Sequence, residues 1–269
     1  MIRKLRRCFK MTDYKSELPL EARRRERHRP DSPVVMYQRW SELLFLHWAV
    51  PPEVVQAGLP EGLTVDTYEG QAWIGVVPFL MHGVRPRGLP PVPALSNFPE
   101  LNLRTYVYDH IGRPGVWFYS LDTPNSVANW IARTFFHLNY RTARMEVRHG
   151  EREIDCRSEL KQDNRFDEAQ HYRWRREGRA FEAEPGSLEF FLAERYRLFA
   201  YDWKSRRLFS GRVHHVPYPL QAAKVSQYSK RLFSLSDLEE PDGGPDHTLC
   251  SAGVPITVHP LARVAPIQG

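Results

Sequence analysis

The sequence predicts a predominantly β, barrel-like α+β domain, and three observations predict it. From Met36 onward, apolar or alternating segments of strand length recur between Gly, Pro and Asn turn signals. Helical periodicity is confined to one well-formed stretch and two or three short ones. The 269 residues are 42% hydrophobic and 12% aromatic with no internal repeat, which is ample for a packed core and excludes a disordered chain.

The elements follow in order. Leu43-Leu44-Phe45-Leu46-His47-Trp48 has the length of a buried strand and stops at Pro51-Pro52. Pro52 to Leu59 reads as a short helix, with Pro in its first turn and Gly58 near its end. Leu63–Asp66 and Ala72–Val77 are strands separated by the Glu69-Gly70 turn. Leu89 to Pro99 holds four prolines and is expected to be an irregular loop. Leu101–Tyr108 and Gly115–Leu121 are strands. The best helix is Ser126–Phe136, started by Asp122-Thr123-Pro124-Asn125, with Val127, Trp130, Ile131, Thr134 and Phe135 on one face. Ala143–Val147, Glu153–Leu160 and Ala169–Arg175 read as a meander turning at His149-Gly150. Ser187 caps a short helix ending near Arg195. Phe199–Trp203 pairs with Leu208–Val216 across a turn at 204–207, and Cys250–His259 is a last strand. Trp40, Trp48, Trp73, Trp117 and Trp130 fall in apolar runs and are expected in the core.

Charge has to be located before it is interpreted. The formal net charge is +6, but residues 1–30 carry 11 Lys+Arg against 4 Asp+Glu, leaving 27 basic and 28 acidic residues in 31–269. The surplus belongs to the tail, so the body gives no support to nucleic-acid binding. Residues 1–33 are therefore expected to be a basic, solvated and disordered extension, with Met11 and Met36 as alternative starts, and residues 34–269 a single domain. The tail has no apolar run of a secretory signal. The longest apolar stretch, Leu43 to Pro52, is far short of the roughly 20 residues of a membrane span, so no membrane partner is expected. Cys8, Cys156 and Cys250 stand far apart without C-x-x-C, which points to a reducing cytoplasm rather than a disulfide framework.

Most motifs are missing. There is no G-x-G-x-x-G, G-x-x-x-x-G-K, G-x-S-x-G or H-E-x-x-H, so no nucleotide cofactor and no metal site is expected. The scattered His47, His137 and His215 read as structural histidines rather than metal ligands. Tyr172-Arg173-Trp174-Arg175-Arg176 interleaves aromatic and basic residues, but on a strand Tyr172 and Trp174 share a face with the arginines opposite.

At Met36–Val50 (MYQRWSELLFLHWAV), Gly58–Phe79, Phe98–Val107 and Pro114–Asp122 the sequence resembles the YqjF-like family of uncharacterised bacterial proteins. Leu138–Tyr140, His215-x-Pro217 and Ser251-Ala252-Gly253-Val254 also fit, so the resemblance spans nearly all of 36–260. More distantly, Val50–Asp66, Phe98-Pro99-Glu100 and Leu138–Ala143 are similar to acetoacetate decarboxylase. That resemblance implies an acetoacetate decarboxylase-like β-barrel with an internal cavity and a few peripheral helices. In the decarboxylase the last segment carries Pro-Lys-Lys, whose first lysine forms a Schiff base with the keto substrate. Here Asn139-Tyr140-Arg141 occupies those places. A phenol lacks the amine that condenses with a carbonyl, so Tyr140 cannot replace that lysine. Arg141 preserves the second positive charge. A further glutamate of that family, on the strand near Trp73, gives way to Gly75 or a neighbouring apolar residue.

The resemblance places Glu100 and Tyr140 at cavity positions. Glu100, Asn102 and Arg104 share one face of their strand. An acid, an amide and a guanidinium on one face suit a small carboxylate or keto acid, which Arg104 would take bidentately. Glu100 would act as general acid/base if burial raised its pKa. Arg141 joins Arg104 and Asn102 as a ligand-binding candidate. Two classes stay open: a pocket that binds or transforms a small molecule, and a non-catalytic binding module or homo-oligomeric scaffold, with the loop 89–99 at the cavity mouth or at an interface.

Overall fold

The structure, a computed structural model, describes residues 18–265. A short helix α1 (Leu20–Arg25) precedes the long strand β1 (Met36–Val50), then α2 (Pro52–Gln56), β2 (Leu63–Val65) and β3 (Ala72–Pro86). One helical turn, α3 (Pro93–Ser96), leads into β4 (Phe98–Asp109) and β5 (Pro114–Thr123), followed by α4 (Ser126–Phe136). The meander consists of β6 (Tyr140–His149), β7 (Ile154–Gln162), β8 (Arg165–Phe166) and β9 (Gln170–Phe181). Then come α5 (Leu188–Ala193), β10 (Arg197–Asp202), β11 (Arg207–His214), β12 (Leu220–Gln227), α6 (Arg231–Ser234), β13 (His247–Val258) and β14 (Ala262–Arg263). The chain is mostly β, as the strand-length punctuation predicts. No helix among the described residues is long and apolar enough to cross a membrane.

The strands close on themselves twice. One ring runs β5-β6-β7-β9-β12-β13-β1-β3-β4 and returns to β5 through the antiparallel β4–β5 pair. A smaller circuit shares β13, β1, β3, β4 and β5 and closes through β10 and β11, since β10 pairs parallel with β5 and β11 pairs with β13. Strand alternation then assigns each side chain to one interior or the other. On β1 and β4, Leu44, Leu46, Trp48, Leu101 and Leu103 join the packed core with Ile154, Tyr172, Trp174 and Phe233. Glu100, Asn102 and Arg104 point to the opposite face, into a cavity bounded by the smaller circuit. Burying Tyr172 and Trp174 leaves Arg173 and Arg175 on the outer face, paired with Asp155 and Glu177, while Arg176 lies exposed further along the strand and pairs with Glu42.

Three expectations are corrected. The basic segment is not wholly a solvated tail: Arg23 is buried and donates both Nη atoms to Asp66, at 2.5 and 2.7 Å, and Glu26 accepts from Arg197 at 3.0 Å. Charge composition alone reads as solvation because the counter-charges lie far along the chain. Residues 1–17, with Cys8 and Met11, lie outside the described residues. Second, the loop 89–99 is shorter than expected. Ser96 is buried, accepts the Val92 N–H and donates to the Val84 carbonyl, and β4 starts at Phe98 with Pro99 facing Leu80 of β3. Proline is tolerated there because it sits at the strand's beginning. Third, the described residues of the anticipated apolar face of α4 are not buried. Val127, Trp130 and Thr134 are exposed, Trp130 by 62%, while the side chains of Ile131 and Phe135 lie outside those described. The helix stands at the cavity mouth, which Val127 and Phe136 line, and Phe136 at its end packs against the core. Trp48, Trp73 and Trp117 are buried as expected, and Trp40 is half-buried.

Candidate functional site

The cavity measures about 340 Å³ and is mostly apolar; its charged groups lie along β4 and around the start of β10, with Tyr140 beside Glu100 and the neutral Gln38, Ser96 and Asn125 elsewhere in the lining. Glu100, Asn102 and Arg104 follow one another on the inward face of β4, each buried. Tyr140, the first residue of β6, donates its hydroxyl to Glu100 Oε2 at 2.8 Å, and Asn102 Nδ2 donates to Oε1 at 3.4 Å. Burial pushes the Glu100 carboxyl up to about 7, against the two hydrogen bonds that favour its charged form and with a smaller push from Asp122. Burial, followed by the neighbouring Glu100, drives the Tyr140 phenol well above its ordinary value, so Tyr140 stays a neutral donor. Asn102 Oδ1 has no partner.

Arg104 stands at the far end of this row. Nη2 donates to the Leu192 carbonyl at 3.3 Å, and the guanidinium lies 5.5 Å from the Phe45 ring and 5.8 Å from the Tyr106 ring. Its Nε is buried without a partner, and no carboxylate pairs with it among the described residues. Two further arginines reach the same cavity from the chain after α5. Arg195 gives Nη1 to Asp66 at 2.9 Å and Nε to the Phe191 carbonyl at 2.6 Å, leaving Nη2 unsatisfied. Burial lowers Arg195 to about 10, and Asp66 opposes that fall. Arg197 bonds Ser210 and Glu26, leaving Nε unsatisfied. The site is therefore electropositive at one end and holds a carboxyl poised near neutrality further along.

Behind Arg104, His47 Nε2 lies 2.8 Å from the Tyr106 hydroxyl, and His47 Nδ1 lies 3.4 Å from His247 Nδ1. Burial, then the charges of His247 and Arg104, hold His47 well below an ordinary imidazole pKa, in its neutral form. Gly75 makes room for this ring, since a Cβ there would sit 3.0 Å from His47 Cδ2. The imidazole thus fills the space beside this glycine. His137 stacks on Phe209 and His215 on Tyr196, so the three scattered histidines do not converge.

Of the residues singled out in the sequence, the structure brings together Glu100, Asn102, Arg104 and Tyr140. Arg141 goes elsewhere. Neighbours on a strand face opposite ways, so with Tyr140 inside, Arg141 lies outside the cavity and makes a two-pronged pair with Asp122 at 2.6 and 2.9 Å. Arg141 also donates to the Leu235 carbonyl, and its second positive charge is thereby committed to structure. Arg195 and Arg197 were missed. The sequence offered one faint signal, arginines two residues apart directly after a short capped helix, with no means of showing which way they point.

Comparison with solved structures gives the fold. The chain superposes on the enduracididine biosynthesis enzyme MppR complexed with pyruvate with a TM-score of 0.60 and 12% identity, covering 88% of this chain and 93% of that one. Acetoacetate decarboxylase from Legionella pneumophila matches with a TM-score of 0.60 and 13% identity over 89% and 91%. An acetoacetate decarboxylase-like enzyme from Sphingomonas wittichii matches at 0.56 and 12% over 87% and 95%. In sequence, the uncharacterized protein YqjF of Bacillus subtilis is 39% identical over 216 residues, which is 80% of this chain and 87% of that protein. Residues 37–255 match the DUF2071 family, described as an uncharacterized conserved protein. With most of its length matched by that family and by YqjF, the chain belongs to the DUF2071 family and carries an acetoacetate decarboxylase-like fold.

Proposed function

We propose that the cavity binds a small molecule carrying a carboxylate, keto acids included, with Arg104 taking the carboxylate and Glu100, Asn102 and Tyr140 contacting the adjoining oxygen. The observation that carries this reading is Arg104: a buried guanidinium with an unsatisfied Nε and no carboxylate of its own among the described residues. Leaving such a charge without a counter-ion is costly, and an anionic ligand removes the cost. The pyruvate bound to MppR, a neighbour in fold, agrees with that chemistry. The reading needs no Schiff-base lysine, and among the described residues no lysine lines the cavity. A reducing, cytoplasmic setting fits Cys156 and Cys250, both buried free thiols pushed up to about 12 by burial.

Thermal unfolding of the full chain with pyruvate or acetoacetate, against the matched amide pyruvamide, tests the proposal. The acids are expected to raise Tm and the amide to leave it unchanged, with the effect lost in R104Q. Equal shifts from acid and amide would remove Arg104 from the reading. A second, catalytic reading, a lyase or hydrolase with Glu100 as acid/base, is favoured by one observation, the Glu100 carboxyl held at about 7. Its test is exchange of the pyruvate methyl protons in D2O, read by NMR. Exchange above background that is abolished in E100Q supports it, and background exchange leaves a binding module.

A further inference from the structure

We infer that the ligand is an amphiphile, an unbranched medium-chain carboxylate of about eight to ten carbons, with its acid group at Arg104 and its chain running toward the mouth. This rests on the carboxylate reading above and adds the other half of the molecule. Phe98, Glu100, Asn102 and Arg104 all line the cavity. They span seven residues of extended strand, roughly 20 Å. The polar groups are at one end of that row. The other end belongs to Phe98 and Met81, with Trp40 beside them, while Phe79 and Val77 of β3 stand across from Glu100 and Asn102 and give the polar row an apolar flank. The lining then continues to the surface over Leu89, Val92 and Leu95, which are 58%, 52% and 41% exposed. A keto acid of three or four carbons would fill the polar end and leave this apolar channel empty, which is poor use of a pocket. The volume of about 340 Å³ holds about ten non-hydrogen atoms at the roughly 30 Å³ each that a water-sized group occupies. Octanoate and decanoate fall at that limit. An exposed apolar rim continuous with a buried arginine matches a molecule that enters tail-last with its charge leading.

The test is a chain-length series. Even-numbered straight-chain carboxylates from acetate to dodecanoate are titrated into the full chain below their micellar concentrations, by calorimetry and tryptophan fluorescence. Affinity is expected to rise about fourfold per methylene up to octanoate or decanoate and then to level off or fall. Decanoate is expected to bind at least tenfold more tightly than 1-decanol, a preference that R104Q erases. L89D combined with V92D is expected to weaken decanoate by tenfold or more, and because both sites are exposed this variant folds. Affinity that is flat from acetate to decanoate would overturn the amphiphile and leave the carboxylate reading standing. Decanol binding as tightly as decanoate would overturn both. So would no binding at any chain length.

Discussion

Glu100 is the residue whose protonation the fold alters in the most testable way. Its carboxyl titrates near 4.5 when solvated and at about 7 in the folded chain, chiefly because burial penalises the charged form. Between those two values the folded chain holds a proton that the unfolded chain has released, so stability falls as pH rises through the window and flattens above it. The full size is about 3.5 kcal/mol, from about 2.5 pH units at about 1.4 kcal/mol each. His47, held neutral by burial, pulls the other way at lower pH, and comparison with E100Q cancels it because both chains keep that ring. Urea unfolding at pH 5 and pH 8 is expected to show the native chain losing about 2.5 kcal/mol more than E100Q over that interval, the rest of the window lying below pH 5. Parallel losses would mean that the carboxyl is solvated. The glutamine keeps an acceptor for Tyr140, so its structure at pH 5 stays close to that of the protonated acid.

At the scale of elements, β1 is one of the five strands shared by both circuits, and its pairing is irregular midway along. Its register with β3 shifts between Ser41 and Leu46, and Glu42 takes a φ of 52°. Opposite Ser41 on β13 stands Gly253, with φ 117°, where a Cβ would approach the Trp40 carbonyl oxygen to 2.0 Å and the Ser41 Cα to 2.6 Å. Both neighbours are backbone, so nothing can rotate away. G253A is expected to lower stability by about 3 kcal/mol or more, read as a drop in urea midpoint without a change in slope. A change under 1 kcal/mol would show that the two strands can separate there.

Element patterns also explain what the sequence could reveal. The alternation of Glu100, Asn102 and Arg104 with Leu101, Leu103 and Thr105 was legible because a strand's period of two is local. The Ser187 cap was legible for the same reason, its hydroxyl accepting the Phe190 N–H at 3.2 Å. Arg195 and Arg197 enter the cavity through the pairing of β10 with β5 and of β11 with β13, contacts between residues dozens of positions apart. No window of local sequence contains that closure. Strand β12, with its alternation of exposed and half-buried residues after Leu220, was unread because its apolar content is too low to stand out.

For the whole molecule, the basic segment of the chain turns out to brace the cavity's arginines. Asp66 is fully buried and receives Arg23 from α1 and Arg195 from the cavity wall, while Glu26 stands between Arg197 and Arg212. Two acids thus fasten the N-terminal helix to the two arginines that sequence reading missed, and Arg27 adds a looser pair with Glu194. Part of the +6 charge is consequently a tie between the start of the chain and its site, at positions where composition alone indicates a free arm. Breaking a buried pair by removing one partner strands the other charge, which typically costs about 3–5 kcal/mol. D66N strands two, Arg23 and Arg195, in an interior where the asparagine carbonyl serves only one of them well. It is therefore expected to cost at least about 3 kcal/mol and to lower Tm by about 10 °C, given about 2–4 °C per kcal/mol for a chain near this size. R23Q, which leaves Arg195 paired with Asp66, is expected to lose clearly less. Equal losses in D66N and R23Q would mean that docking of α1, and not the charge balance of the cavity wall, is what Asp66 maintains.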